Sequence, residues 1–107
     1  MRKIAFSGFA WDKANLSKCQ EHGVSSAEVE YVLAHAATLI VPDLKNSRSE
    51  PRYIAIRRTA ADRYAFVVFT PRETGASGIL LRPISARYMH KKEIKKYEQE
   101  IARVQNR

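Results

Sequence analysis

Three arginines on strand-like patterns, Arg52, Arg57 and Arg87, and a histidine three residues beyond the last of them, His90, are the side chains best suited to chemistry on a phosphodiester. A guanidinium stays cationic in any environment, and its planar fork holds two phosphate oxygens at once. A histidine titrates near neutrality and can take up or release a proton. Around this core lie Arg82, Tyr88, Lys91, Lys92, Lys95 and Lys96. Arg82 and the lysines would track a polyanionic backbone, and Tyr88, expected to be exposed, would stack an unpaired base. RNA carries its own nucleophile, the 2′-hydroxyl. Cleavage then requires in-line alignment, removal of a proton, offset of the developing charge and protonation of the leaving oxygen. No HExxH, paired-carboxylate or Cys/His spacing offers a metal site, so neither metal nor cofactor is expected.

Each of these residues has a plainer reading. Arg52 and Arg57 could be solvent-facing strand residues whose stems cover apolar surface. His90 could be a surface residue at a helix start, and the lysines a solvated helix face. Tyr97 falls on an apolar stripe and reads as core. His22 suits a helix C-terminus, where a protonated ring would favour the dipole, and His35 reads as a core-edge residue.

The chain has 107 residues, enough for one compact core, and is read as a single domain over 1–107. Its net charge of +8 is one-sided. Residues 1–44 carry four Lys and Arg against five acids, whereas 45–107 carry fifteen against six. Such an excess favours an anionic partner, RNA or DNA before a membrane surface. No apolar run approaches the roughly 20 residues that cross a bilayer, nor does the N-terminus have the apolar stretch of a signal peptide, so a cytoplasmic location is expected. Cys19, the one cysteine, reads as a small buried hydrophobe.

The positioning elements follow from caps and periodicity. Ile4 to Phe6 and Phe9 to Trp11 suggest a short first strand or an extended pair, broken at Ser7-Gly8. Asp12 is placed to cap a helix from Lys13 to about Glu21, closed by Gly23. Ser25 and Glu28 match a capping box, Val24 can staple onto Val29, and Val29, Val32, Leu33 and Ala36 form the stripe of a second helix ending near Ala37. Strands are expected at Thr38 to Val41, Arg52 to Arg58, Tyr64 to Thr70 and Ile79 to Ala86, joined by short antiparallel connections. On the second of these, Ile54 and Ile56 share one face and Tyr53, Ala55 and Arg57 the other. Pro83 cannot donate to a ladder, so the last strand is either at an edge or bulged there. Ile94, Tyr97, Ile101 and Val104 give the final helix one apolar stripe, with Arg103 and Arg107 among the cations mainly outside it. The fold class is α+β: a small antiparallel sheet flanked by two N-terminal helices and one C-terminal helix.

Trp11-Asp12, Asn15, His22-Gly23-Val24, Arg52 after Glu50, Val67-Val68-x-Thr70, and Arg82-x-Ile84-Ser85-Ala86-Arg87 followed by Glu93 and Tyr97 occur in an order that resembles the BrnT-type toxins. The resemblance implies a RelE-like fold and ribonuclease activity against messenger RNA. It further implies a cognate BrnA-type antitoxin that neutralises the toxin, with operator DNA bound only through the antitoxin complex. A different class of function also fits the charge pattern: a non-catalytic nucleic-acid-binding module acting with such a partner in transcriptional autoregulation.

Overall fold

Asp12 opens the first helix, α1 (Lys13–Gln20), where its side chain accepts the Asn15 amide hydrogen at 2.8 Å. That hydrogen has no partner within the helix, which is why a carboxylate is favoured there. Gly23, at φ +82°, turns the chain away in the left-handed region that side chains disfavour. In the capping box of α2 (Ser26–Ala34), Ser25 Oγ accepts from Glu28 N at 3.1 Å and Glu28 Oε1 accepts from Ser25 N at 3.3 Å. Val24 and Val29, the expected staple, are both fully buried. The structure is a computed structural model that describes residues 5–46, 49–60, 62–75 and 78–105, with only the backbone of 46, 101 and 103–105. Ile4, Arg107 and the side chains of Ile101, Arg103 and Val104, which figure in the sequence reading, lie outside what is described.

α2 stops at Ala34 and not near Ala37, so Ala36 is exposed and drops out of the apolar stripe. Local hydrogen bonds explain the early stop. His35 swings to ψ 132°, its Nδ1 accepts the Ala37 amide hydrogen at 3.0 Å, and Thr38 Oγ1 donates to the Val32 carbonyl. These bonds satisfy groups that a further helical turn would otherwise have paired.

Five strands, β1 (Gly8–Phe9), β2 (Leu39–Pro42), β3 (Tyr53–Arg58), β4 (Tyr64–Glu73) and β5 (Ile79–Tyr88), form one sheet in the order β1-β5-β4-β3-β2. The run from β2 through β5 is antiparallel as expected, but β1 lies parallel to β5, which makes the sheet mixed. The first strand also occupies the expected break. Ser7 N donates to the Ile79 carbonyl at 2.8 Å and Ala10 N to the Leu81 carbonyl at 2.9 Å, so long-range pairing overrides the local Ser-Gly signal. β5 is interior and tolerates Pro83 through a bulge: Phe69 pairs with Pro83 and Val68 with Ser85, leaving Ile84 as the extra residue.

Alternation gives the sheet two unlike faces. Ala55, Ala65, Val67, Phe69, Leu81 and Ala86 meet Cys19, Val29, Val32 and Leu33 of the two helices, and Val24 between them, in the buried core. Burial pushes the Cys19 thiol up to about 11, in keeping with a packing role. The second face carries Ile54, Ile56, Arg58, Tyr64, Phe66, Val68 and Arg87. Toward it comes the last helix, α3 (Lys91–Gln105), whose Tyr97 ring stands edge-on to Tyr64 at 5.4 Å. None of the described helices is long and apolar enough to cross a membrane.

Candidate functional site

β5 continues to Tyr88, two residues past its expected end, so Arg87 lies within the strand, paired with Phe66 of β4. Alternation then turns it away from α1 and α2 and onto the second face. His90 caps α3, and its backbone N–H donates to Glu93 Oε1 at 2.9 Å, one half of a capping box. The same carboxylate accepts from Arg87 Nη1 and Nη2, each at 2.7 Å. Beneath the fork lies the Phe66 ring, with its centroid 4.4 Å from the guanidinium carbon. An apolar plane below and a bidentate partner in front fix the guanidinium's orientation. The Arg87 hydrogen bond, supported by the His90 amide, holds the Glu93 carboxyl down at about 2, and the Arg87 pKa is raised in turn.

Arg87 and Glu93 are 35% and 33% exposed at their side chains, so a dissolved anion can reach the pair. The Glu93 oxygens sit where two oxygens of a phosphate would have to sit to engage the same fork. Beside this group, Lys91, Lys92, Lys95 and Lys96 are all exposed on α3, and the His90 side chain is exposed at its start. A second polar cluster flanks them. Arg58 Nη2 donates to Tyr64 Oη at 3.1 Å, Tyr64 Oη donates to Glu98 Oε2 at 3.3 Å, and Arg58 pairs with Asp62 at 3.2 Å.

The other two arginines do not converge with Arg87. Arg57 sits on the opposite face of β3, with Nη2 3.3 Å from His35 Nε2 and its Nε buried without a hydrogen-bond partner. Because His35 Nδ1 accepts from Ala37, the neutral ring carries its proton on Nε2, and the close approach brings two donors together. Arg52 precedes β3 beside Glu50, Pro42 and Tyr53. It is four residues from Ile56, the strand-mate of Phe66, a span of roughly 13 Å along an extended chain. Arg82 shares the face of Arg87, but its Nη2 is bound at 3.0 Å to Asp12. Asp12 is itself held below the usual carboxylate range by the Asn15 amide and then by Arg82.

Tyr88 departs from its expected exposure. It is half-buried on the helix-covered face, its hydroxyl donates to Glu28 Oε1 at 2.7 Å, and the Arg63 guanidinium lies 3.6 Å from its ring centroid. Burial and the Glu28 hydrogen bond raise the pKa of the phenol. Tyr97 is half-buried, in line with its place on the apolar stripe. Glu93 and Phe66 were missed as parts of the site. The three-residue spacing from His90 to Glu93 was a legible capping signal, whereas nothing local placed Phe66 beneath Arg87.

A family model described as ribonuclease toxin, BrnT, of type II toxin-antitoxin system matches residues 11–93, from Trp11 through the carboxylate that holds Arg87. A search of curated proteins gave no significant match.

Proposed function

The chain belongs to the family of BrnT ribonuclease toxins of type II toxin–antitoxin systems, and from that premise we propose that it cleaves messenger RNA by metal-independent attack of the RNA's own 2′-hydroxyl, inhibiting translation. The observation that carries this reading is the Arg87 fork, oriented over Phe66 and reachable from solvent at the start of a lysine-rich helix. Arg87 exchanges the Glu93 carboxylate for two oxygens of the scissile phosphate and offsets the charge that builds on them. The His90 ring accepts the 2′-hydroxyl proton, the freed oxygen attacks phosphorus as the bond to the 5′-oxygen breaks, and the 5′-oxygen takes a proton from water, leaving a 2′,3′-cyclic phosphate. Arg82 and the four lysines of α3 hold the flanking backbone. Arg52 and Arg57, each apart from Arg87, act on more distant phosphates, and Tyr88 offers a base only an edge left open by Arg63. A cognate BrnA-like antitoxin keeps the toxin inactive in the cytoplasm, and operator DNA is bound only by the complex.

The test is cleavage of a long single-stranded RNA in excess EDTA, by wild type and by an Arg87→Ala variant shown to be folded. Wild type should leave 2′,3′-cyclic ends, and the variant should lose about 10²–10³-fold in rate, as for removal of one preorganised donor. Salt-sensitive RNA binding by folded wild type without cleavage would instead favour the non-catalytic module acting in autoregulation.

A further inference from the structure

Among the described residues Arg58, Arg82 and Arg87 each pair with a carboxylate, whereas Arg57 pairs with none. Its Nε is buried without a hydrogen-bond partner, and its Nη2 meets His35 Nε2 at 3.3 Å. His35 Nδ1 accepts the Ala37 amide hydrogen, so Nε2 is the donor of that ring. Two N–H donors that converge this closely are arranged to bind one acceptor in common, and a guanidinium without a carboxylate partner favours an anionic one. One helical turn before His35 stands Tyr31, 40% exposed, with its ring centroid 5.5 Å from that of His35. A cation, an imidazole and an exposed aromatic ring thus follow one another from β3 to α2.

We propose that Arg57, His35 and Tyr31 form an RNA subsite outside the scissile position, where Arg57 and His35 share an oxygen of one phosphate and Tyr31 stacks a neighbouring base; the proposal rests on the reading of the chain as an RNA-cleaving toxin. The trio matches what single-stranded RNA presents, anionic phosphates alternating with unpaired π faces. An acidic side chain of a protein partner would satisfy the two donors but leave the tyrosine without a role.

Register places the subsite within reach of the same strand that Arg87 holds. Arg57 pairs with Ala65 and Ala65 with Tyr88, the residue after Arg87, so the backbones of the two arginines lie roughly 10 Å apart. Pairing of β2 begins with Leu39 opposite Ile56, which leaves Arg57 one residue beyond the edge strand. Burial and Tyr64 raise the Tyr97 pKa while Arg57 and Arg58 oppose them, so the charge of Arg57 is felt on the side where α3 lies. Arg58, exposed on the face of Arg87, adjoins Arg57 and continues the cationic path around the end of the sheet. A strand held at two separated phosphates crosses Arg87 in one direction, and the added contact lowers KM without touching the chemical step.

The probe is a single-stranded 2′-O-methyl oligonucleotide, which lacks the nucleophile and so reports binding alone, read by fluorescence anisotropy over a salt series. Wild type is compared with Arg57→Gln, His35→Asn and Tyr31→Ala, each checked for folding by circular dichroism. In His35→Asn the amide oxygen still accepts the Ala37 hydrogen, so the Nε2 donor is removed and the turn kept. Arg57→Gln should weaken binding about tenfold and lower the salt slope by about 0.7, whereas Tyr31→Ala should weaken it about tenfold at an unchanged slope. In cleavage of a long RNA the loss in all three should appear in KM. If Arg57→Gln does not fold, His35→Asn and the exposed Tyr31→Ala decide the matter. Wild-type affinity in the folded variants, or a loss confined to kcat, overturns the subsite, while cleavage that depends on Arg87 keeps the RNA reading in place. Failure of wild type to bind the oligonucleotide even at low salt overturns both.

Discussion

Glu93 meets two demands at the junction of β5 and α3, accepting the backbone amide of the cap residue His90 and clamping both terminal nitrogens of Arg87. Its carboxyl titrates at about 2 in the folded chain against 4.5 for the free side chain. The folded value is the lower one, so the pair stabilises the fold fully above a pH of about 4.5 and loses that contribution as the pH falls toward about 2. Glu93→Gln should therefore be less stable than wild type at neutral pH, with the gap narrowing below about 4.5. Urea melts at neutral and acid pH measure this, and a gap that ignores pH would place the stabilisation elsewhere. Arg87→Ala, by contrast, is expected to act first on cleavage, because it removes the cation proposed to hold the scissile phosphate.

At the scale of elements, the turn into β5 sets where the site begins. Gly78 has φ +79°, and a Cβ there would lie 2.9 Å from Ser7 Oγ, beside the Ser7 amide that bonds to Ile79. Gly23 has φ +82° with nothing within 4 Å of its missing Cβ. Gly23→Ala should cost only the left-handed backbone penalty, roughly 1–2 kcal/mol. Gly78→Ala should cost more, since the same strain is joined by a collision that pushes β1 from β5. Comparing the two by urea unfolding separates conformational cost from crowding, and equal losses would mean that Ser7 yields freely.

Over the whole molecule, the basic excess of the second part of the chain is densest on α3, where Lys91, Lys92, Lys95 and Lys96 are all exposed. For single-stranded RNA, log affinity falls against log salt by about 0.7 for each phosphate neutralised. Replacing Lys92 and Lys95 by glutamine should lower that slope by about 1.4 and weaken all RNA sequences alike. Fluorescence anisotropy over a salt series reads it directly. An unchanged slope would assign the two lysines to solvent or to the antitoxin alone.

Caps, stripes and alternation were legible in the residues because each is a short-range matter. Asp12, the Ser25–Glu28 box and Gly23 act within a few positions, and Ile54 with Ile56 against Tyr53 with Ala55 follows from the pleat. Pro83 announced an edge or a bulge for the equally local reason that it lacks an N–H, and only the sheet order decided for the bulge. Three local signals were outcompeted: the Ser7-Gly8 break by pairing with β5, the last turn of α2 by His35 and Thr38, and the end of β5 by its ladder with β4. Which arginines meet was beyond any local pattern. Register aligns Ile56, Phe66 and Arg87 across three strands and leaves Arg57 on the reverse face, and register is settled only when distant segments bury their apolar sides together.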